Sequence, residues 1–143
     1  MKKIIALLSL IVMTEMGIAQ DVNKELSPLK WRSIGPFRGG RSNMATGVLN
    51  NRDVYYMGTT GGGLWKTENS GHSWTPVFEE QPTQNIGSIA VQQSNPNIVW
   101  VGTGEGNPRN SSSWGDGVYR STDGGKTWKH CGLDKIFQTG RIA

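Results

Sequence analysis

The amino-acid sequence predicts an all-β fold. Twenty glycines and six tryptophans stand among the 143 residues, and short runs rich in β-branched and aromatic residues alternate with clusters of Gly, Asn, Ser and Pro. After residue 20, no stretch has the spacing of apolar side chains that an amphipathic helix needs. A third observation, an internal repeat, narrows the fold class further.

The repeat is typical of a β-propeller. Residues 54–74 and 98–128 each contain a strand that ends on a Gly-Thr pair, a second strand, and a polar turn closed by tryptophan. The pairs begin at Gly58 and Gly102, which gives a period of about 44 residues with several short strands in each unit. The sequence therefore predicts a partial β-propeller of about two four-stranded antiparallel blades.

The strands of this partial propeller can be placed in order. One blade unit covers about residues 40–78, a second covers about 85–132, and residues 139–143 resemble the start of a third. Residues 31–34 match the segment after each polar turn, so they are predicted to be a lone outermost strand of the kind that closes a propeller ring. The predicted strands are 31–34, 43–48, 54–59, 63–67, 74–78, 86–91, 98–103, 117–121 and 128–132.

The first twenty residues have the pattern of a secretory signal peptide. Lys2 and Lys3 precede an apolar run, and small residues stand before a cleavage point near Ala19 or Gln20. The run is too short to span a bilayer, and no other apolar run approaches that length. We therefore expect residues 1–20 to be removed, 21–28 to be a linker and 29–143 to be an incomplete propeller. The mature chain is expected to be secreted, periplasmic or at the cell surface, without a membrane span.

Each repeat contains a turn with the pattern Ser/Thr-x-Asp-x-Gly-x-Thr-Trp, with Asn and Ser replacing Asp and Thr in the first. The Asp or Asn oxygen can accept backbone N–H groups, and the glycine can adopt the positive φ that a tight turn needs. The tryptophan can bury a large ring under the hairpin. Because the pattern recurs with its tryptophan, we interpret these residues as structural and not as a catalytic or metal site: Thr67, Asn69, Gly71, Trp74, Ser121, Asp123, Gly125 and Trp128.

An insertion at residues 104–117 is the candidate binding segment. An aromatic face beside acid and amide groups suits sugar rings and hydroxyls, or a peptide. The alternative is a solvated insertion whose tryptophan packs onto the blade. The candidate binding residues are Trp114, Glu105, Arg109 and Asp116, together with Arg41.

Two acids of this insertion, Glu105 and Asp116, are the candidates for a catalytic carboxylate pair, with surface polar residues as the other interpretation. Arg41 and Arg141 each come after a glycine just before an inner strand. Their recurrence favours a structural role or a basic ring near the central channel. The alternative is that Arg38 and Arg41 bind a carboxylate of a ligand.

Several function classes are excluded or unsupported by the composition. The formal net charge is +4, but the basic residues are scattered, so no nucleic-acid partner is expected. His72 and His130 have no second ligand at metal spacing, and we expect no metal and no cofactor. Cys131 is the only cysteine, so it forms no intrachain disulfide, and we interpret it as a small buried strand residue.

These motifs resemble the Asp-box (BNR) repeat propellers, most closely the bacterial secreted sortilin-N-terminal-like or BNR glycosyl-hydrolase-like proteins. The segment 31–36, with Gly39, Gly40 and Arg41 shortly after it, is similar to their usual start. The resemblance implies a secreted or periplasmic module that binds protein, peptide or glycan through its loop faces. The alternative is a glycoside hydrolase of the xyloglucanase or sialidase type, with catalytic residues partly in blades outside this chain.

The resemblance leaves the enzyme question open and favours no catalysis by this fragment. Xyloglucanase-type propellers carry a catalytic Asp in the first blade, just before a Gly-Gly pair and an aromatic residue. In the matching stretch, 59–65, Thr60 stands at the acidic position. A hydroxyl does not act as acid or base at neutral pH, so this difference counts against that mechanism.

Overall fold

The structure is a computed structural model, and it describes residues 26–29, 40–107 and 109–143. The chain divides into two compact units, Met1–Ser33 and Ile34–Ala143. In the first unit, residues 26–29 form a turn in which the Leu29 N–H donates to the Leu26 carbonyl at 2.9 Å. The predicted signal peptide, most of the predicted linker and the predicted strand at 31–34 lie outside the described residues.

Within the described residues of the second unit, eight strands form two antiparallel sheets. The first sheet has the order β1-β2-β3-β4 and the second has the order β5-β6-β7-β8. The strands are β1 (Arg41–Val48), β2 (Asn51–Thr60), β3 (Leu64–Thr67), β4 (Thr75–Pro76), β5 (Ile86–Val91), β6 (Val99–Thr103), β7 (Val118–Ser121) and β8 (Lys129–His130). This confirms the prediction of an all-β fold with two four-stranded antiparallel units.

The observed strands lie where they were predicted, and the length of β2 differs most, with ten residues against the six predicted. β5 has the predicted bounds, whereas β4 and β8 have two residues each where five were predicted, at 74–78 and 128–132. β4 and β8 each pair with one neighbour only, as β1 and β5 do, but β1 and β5 also pack against each other across the two sheets. Val77 and Cys131 nevertheless donate one more backbone hydrogen bond each, to the carbonyls of Leu64 and Val118.

The sheets pack against each other around one apolar core. β5 lies against β1 and β2 of the first sheet. Gly58 in β2 permits this approach, because a Cβ there would lie 2.6 Å from Cγ2 of Ile86. Phe78 fills the seam between the sheets, and its ring contacts those of Tyr119 and Trp128 edge-on, with centroids 5.1 Å apart in both pairs. The further core residues are Val48, Tyr56, Leu64, Ile89, Val91, Val99 and Val101.

Side-chain to backbone hydrogen bonds also join the two sheets, in both directions. The Tyr56 hydroxyl of the first sheet donates to the Gly124 carbonyl at 3.0 Å. The Trp128 indole N–H of the second sheet donates to the Val77 carbonyl at 2.6 Å. The two polar turns lie at one end of the sheets, and antiparallel pairing places the 61–63 and 104–117 connections at the other end.

The predicted third unit stays a prediction. Of residues 139–143, Thr139 forms an isolated parallel bridge with Glu105. No helix within the described ranges is long and apolar enough to cross a membrane.

Candidate functional site

The connection between β6 and β7, residues 104–117, has a tightly closed neck. It begins at Gly104 with φ +86° and ends at Gly117 with φ +116°, conformations that favour glycine. The Thr103 hydroxyl lies between the two ends. It donates to the Gly117 carbonyl at 2.7 Å and accepts the N–H groups of Asp116 and Gly117 at 2.9 and 3.0 Å. The insertion therefore leaves and rejoins the sheet at one fixed point.

The insertion presents an exposed aromatic ring. Trp114 is 67% exposed and stacks on Phe137, itself 47% exposed, with ring centroids 4.9 Å apart and an interplanar angle of 27°. We call these two rings the aromatic platform. The backbone beneath it is held, because the Asn85 amide donates to the Trp114 carbonyl at 2.8 Å and the Gly115 N–H donates to the Phe137 carbonyl at 2.9 Å.

Glu105 is buried, although one interpretation of the sequence placed it on the surface. Its side chain is 1% exposed, and Oε1 accepts a hydrogen bond from the Arg41 guanidinium. Nη1 of Arg109 lies 3.9 Å from the same oxygen, and the Ser113 N–H donates to Oε2 at 3.3 Å.

The balance of these interactions keeps the carboxyl ionised. Burial by itself raises the pKa of Glu105. The hydrogen bonds from Arg41 and the Ser113 N–H, with the charges of Arg41 and Arg109, outweigh burial and lower that pKa below its ordinary value. A carboxylate held in this way does not suit the role of a general acid near neutral pH.

Asp116, the second acid, is held by other partners. Its Oδ2 accepts the Tyr119 hydroxyl at 2.7 Å and its Oδ1 lies 3.1 Å from the Thr103 hydroxyl. Burial and the hydrogen bond to Asp116 raise the pKa of Tyr119. Among the described residues, Glu105 and Asp116 share no hydrogen-bond partner.

A surface cleft lies beside Asp116. The His130 ring nitrogen Nε2 is 2.7 Å from the Asp116 carbonyl oxygen and 3.4 Å from Asp134. With Gln81 and Pro82, these residues line a cleft of 360 Å³. No group of three His, Cys, Asp or Glu within the described residues is arranged to hold a metal ion.

Three more polar residues lie near Arg41, where β1 begins and β2 ends: Asn43, Thr60 and Asn107. The Thr60 hydroxyl accepts a hydrogen bond from the Asn43 amide. The Asn107 side-chain NH₂ group lies 3.5 Å from the side-chain oxygen Oδ1 of Asn43, so the insertion reaches back to the first sheet. Thr60 brings a hydroxyl where a carboxylate would be needed for acid or base catalysis.

The turn at 121–128 is organised by a carboxylate. Asp123 Oδ1 accepts the backbone N–H groups of Lys126 and Thr127, both at 2.9 Å, and the Ser121 hydroxyl at 2.7 Å. Its Oδ2 accepts the Thr127 hydroxyl at 2.5 Å. The bonds from Thr127 and Ser121 hold the pKa of Asp123 well below its usual range. Gly125 has φ +90°.

The turn at 67–74 achieves the same shape with an amide. Asn69 Oδ1 accepts the Thr67 hydroxyl and the Ser73 N–H, both at 2.9 Å, while its NH₂ group donates to the Ser73 hydroxyl at 2.8 Å. Gly71 has φ +89°, matching Gly125. The Trp74 ring lies against Gly71 and is half-buried.

Cys131 and Arg141 both lie on the surface. Cys131 is exposed and comes directly after β8, so its interpretation as a buried strand residue is wrong. Both residues of β8, Lys129 and His130, are exposed as well, so this outer edge of the sheet lies on the surface. Arg141 is exposed and has no ion pair within the described part of the chain.

Sequence reasoning missed three residues of this region: Phe137, Asn85 and Gly104. Phe137 lies in a connection with no repeat pattern, and its contact with Trp114 arises only when the chain folds back. Asn85 and Gly104 offered a weak signal, since both stand next to a predicted strand. The Gly104 N–H donates to the Asn85 carbonyl at 2.7 Å, so the two residues link the insertion to the segment before β5.

Comparisons with known proteins place this geometry in context. No family model matches the chain. It is 34% identical over 98 residues to the oligoxyloglucan-reducing end-specific xyloglucanase of Emericella nidulans, an alignment that covers 66% of this chain and 12% of that protein. It is 32% identical over 126 residues to xyloglucanase Xgh74A of Acetivibrio thermocellus, covering 74% of this chain and 14% of the relative. The chain therefore spans about an eighth of the length of these relatives.

Solved structures give the same fold. A GH74 enzyme of Niastella koreensis superposes with a TM-score of 0.55 at 24% identity, covering 68% of this chain and 14% of that one. An ancestral GH74 enzyme gives a TM-score of 0.54 at 23% identity, covering 69% and 13%. Together with the two four-stranded sheets, these likenesses confirm the predicted fold class, a partial β-propeller.

Proposed function

We propose that the protein is a carbohydrate-active β-propeller of the glycoside hydrolase type, in which this part of the chain binds the glycan and does not supply the hydrolytic acids. The observation that carries the proposal is the aromatic platform. Two large rings stack on each other and stay open to solvent, at the loop end of the sheets. An exposed apolar surface of this kind, rimmed by polar groups, is typical of a ligand-contact site.

The chemistry of the platform fits a sugar ring. The C–H face of a pyranose can stack on an indole, and its hydroxyl groups need donors and acceptors around that face. The insertion supplies Asn107, Asn110 and Ser111, all exposed. Because Asn85 and Gly115 fix the backbone under both rings, little ordering would be needed when the glycan binds.

The curated relatives suggest the first ligand to test. Both are named as xyloglucanases and both match the chain at 32–34% identity. Xyloglucan oligosaccharides are therefore the primary candidates for this site, with unbranched β-glucan oligosaccharides as the comparison. A secreted or periplasmic location, as predicted from residues 1–20, is compatible with a glycan ligand of this type.

The two candidate acids, Glu105 and Asp116, do not suit the roles of a hydrolytic pair. Hydrolysis of a glycoside needs one carboxyl that can donate a proton and a second that acts as base or nucleophile, about 5–10 Å apart across the bond. Glu105 is ion-paired to Arg41, Asp116 is bound to Tyr119 and Thr103, and Thr60 replaces the expected acid. Hydrolysis by the full-length protein then depends on acids other than these two.

A second candidate is a non-catalytic secreted module that binds protein or peptide, as in sortilin-type Asp-box propellers. Two observations support it. Glu105 and Asp116 are both held by hydrogen bonds within the protein, and residues 121–128 match the Asp-box pattern. In both turns the Asp or Asn oxygen accepts the backbone N–H four residues on, as expected for a structural motif. Arg41 and Arg109 are the charged groups that would contact an acidic peptide.

The test compares glycan binding by full-length protein with and without the platform. Trp114→Ala is expected to weaken the affinity for xyloglucan oligosaccharides at least about tenfold. A tryptophan that becomes buried when the ligand binds commonly contributes a large share of the binding free energy. Titration calorimetry measures the affinity, and release of reducing ends from xyloglucan measures hydrolysis. Leu49→Ala, an exposed apolar residue in the β1–β2 turn, is the matched control and should bind like the parent.

Two results separate the candidates. Unchanged affinity of Trp114→Ala for branched and unbranched oligosaccharides would contradict the proposal. Binding of a peptide panel that disappears in Trp114→Ala, without glycan binding by the parent, would favour the protein-binding module.

A further inference from the structure

We propose that Glu105 is a positioning residue that fixes both halves of the aromatic platform through its ion pair with Arg41 and its backbone contacts, and so sets glycan affinity without touching the glycan. The inference rests on the proposed function for the ligand, and its geometry stands on its own. Glu105 lies where three segments meet: β1 of the first sheet, the insertion, and the connection after β8.

The first half of the platform is tied to Glu105 through Ser113. The Glu105 N–H donates to the Ser113 carbonyl at 2.8 Å, and the Ser113 N–H donates back to the Glu105 carboxylate at 3.3 Å. Both backbone groups of Ser113 are therefore engaged by one residue. Trp114 is the next residue, so the direction in which its side chain leaves the loop depends on this pair of bonds.

The second half of the platform is tied to Glu105 through Thr139. The backbones of Glu105 and Thr139 form a parallel bridge, and the Thr139 hydroxyl donates to the Thr103 carbonyl at 2.9 Å. Phe137 lies two residues before this bridge. The Gly115 N–H then donates to the Phe137 carbonyl, which closes the connection between the two ring-bearing segments.

Charge holds Glu105 in this place. A buried carboxylate is stable only when it is paired and hydrogen-bonded, and Arg41 supplies the direct partner from the first sheet. Arg109 adds a second positive charge from within the insertion. Removal of the negative charge should therefore release the insertion from the first sheet and leave the strands paired.

The experiment uses full-length protein and the variants Glu105→Gln and Arg41→Gln. Glutamine keeps the shape of the side chain, but its NH₂ group cannot accept the Ser113 N–H, and the charge is lost. Glu80→Gln, an exposed acid in the connection after β4, and Arg52→Gln, an exposed arginine in β2, are the matched controls.

The first readout is trypsin cleavage between Arg109 and Asn110, identified by fragment mass. Both test variants should be cleaved about tenfold faster than the parent, because local opening lets this surface bond enter the protease active site in an extended conformation, while both controls should match the parent. The second readout is acrylamide quenching of Trp114, taken as the difference between each protein and its Trp114→Phe counterpart. Quenching should rise in the test variants only, with little change in melting temperature.

The third readout is affinity for xyloglucan oligosaccharides, which should fall about fivefold in either test variant. The double variant should lose no more than one single variant, because both changes break the same interaction. Arg41→Gln provides the test from the other side of the ion pair if Glu105→Gln does not fold.

The outcomes distinguish the two proposals. Parent-like cleavage and quenching in both test variants would overturn the positioning role, as would additive losses in the double variant. If Trp114→Ala binds glycan like the parent while Glu105→Gln still opens the insertion, the glycan site is wrong and the positioning of the loop stands. If Trp114→Ala weakens binding and Glu105→Gln opens nothing, only the positioning role fails.

Discussion

The two sheets share their strand order and their turns, and they differ in the connection between the second and third strand. In the first sheet, residues 61–63 make this connection, whereas in the second sheet it runs from 104 to 117. Every candidate contact residue except Arg41 and Phe137 lies in the longer connection. The comparison indicates that the repeated part of the chain encodes the fold, and that the proposed glycan site lies mainly in the part without a counterpart.

The largest effect is expected at the glycines that begin the two connections. Gly104 (φ +86°) and Gly61 (φ +79°) both have left-handed backbone. A Cβ at Gly104 would overlap the Phe137 carbonyl, whereas one at Gly61 would meet only the Asn85 side-chain oxygen at 3.8 Å. Gly104→Ala should therefore lower the free energy of unfolding by about 3 kcal/mol, and Gly61→Ala by about 1 kcal/mol.

Urea denaturation of the full-length variants measures both values. Equal losses of unfolding free energy in Gly104→Ala and Gly61→Ala would mean that the start of the 104–117 insertion is no more tightly packed than the start of the 61–63 connection. The two sheets would then not differ in this respect.

A second, smaller difference lies in the turns. Asp123 accepts four hydrogen bonds, two of them from backbone N–H groups, whereas Asn69 accepts two and donates one. Asp123→Ala should cost about 2 kcal/mol of unfolding free energy and Asn69→Ala about 1 kcal/mol, because bonds to a charged acceptor are stronger. Thr122→Ala, at an exposed neighbouring position, is the control. A larger loss for Asn69→Ala would reverse the ranking of the two turns.

The smallest effect is a dependence of stability on pH that Asp123 should give to the second turn. The pKa of Asp123 is lowered in the folded state, so its charge stabilises the fold above the pKa of the unfolded chain, near pH 4. This contribution is lost as the pH falls through the lower folded value. Melting temperature measured from pH 5 downward should fall more steeply for the parent than for Asp123→Asn. Parallel curves would show that the Asp123 charge does not stabilise the turn.

The strands could be predicted from the sequence because the signals for them are local. Alternating side chains, Gly-Thr pairs and turn residues mark β5 and β6 within a residue of their observed bounds. β4 and β8 came out shorter than predicted. β1 and β5, which also pair on one side only, gain support by packing against each other. Cys131 lies on the surface together with both residues of β8, Lys129 and His130, and no local pattern reports this exposure.

The site could be predicted only in part. The length and polarity of the insertion single out Trp114 and Glu105 from sequence alone. The burial of Glu105 depends on Arg41, which lies 64 residues earlier in the chain. The stacking of Phe137 on Trp114 likewise needs the fold, since the connection after β8 has no repeat to compare it with. Long-range pairs of this kind leave no periodic signal in a single sequence.

The hydrogen bonds from Tyr56 to Gly124 and from Trp128 to Val77 have a consequence for how such repeats diverge. In both, the acceptor is a backbone carbonyl, which every amino acid provides. A substitution at the accepting position therefore leaves the bond available, provided that the backbone keeps its path. One repeat can accumulate changes, or accept a long insertion such as 104–117, without a matching change in its neighbour. The contact between the two repeats therefore tolerates sequence changes. The loops at the other end of the sheets can then change to bind new ligands.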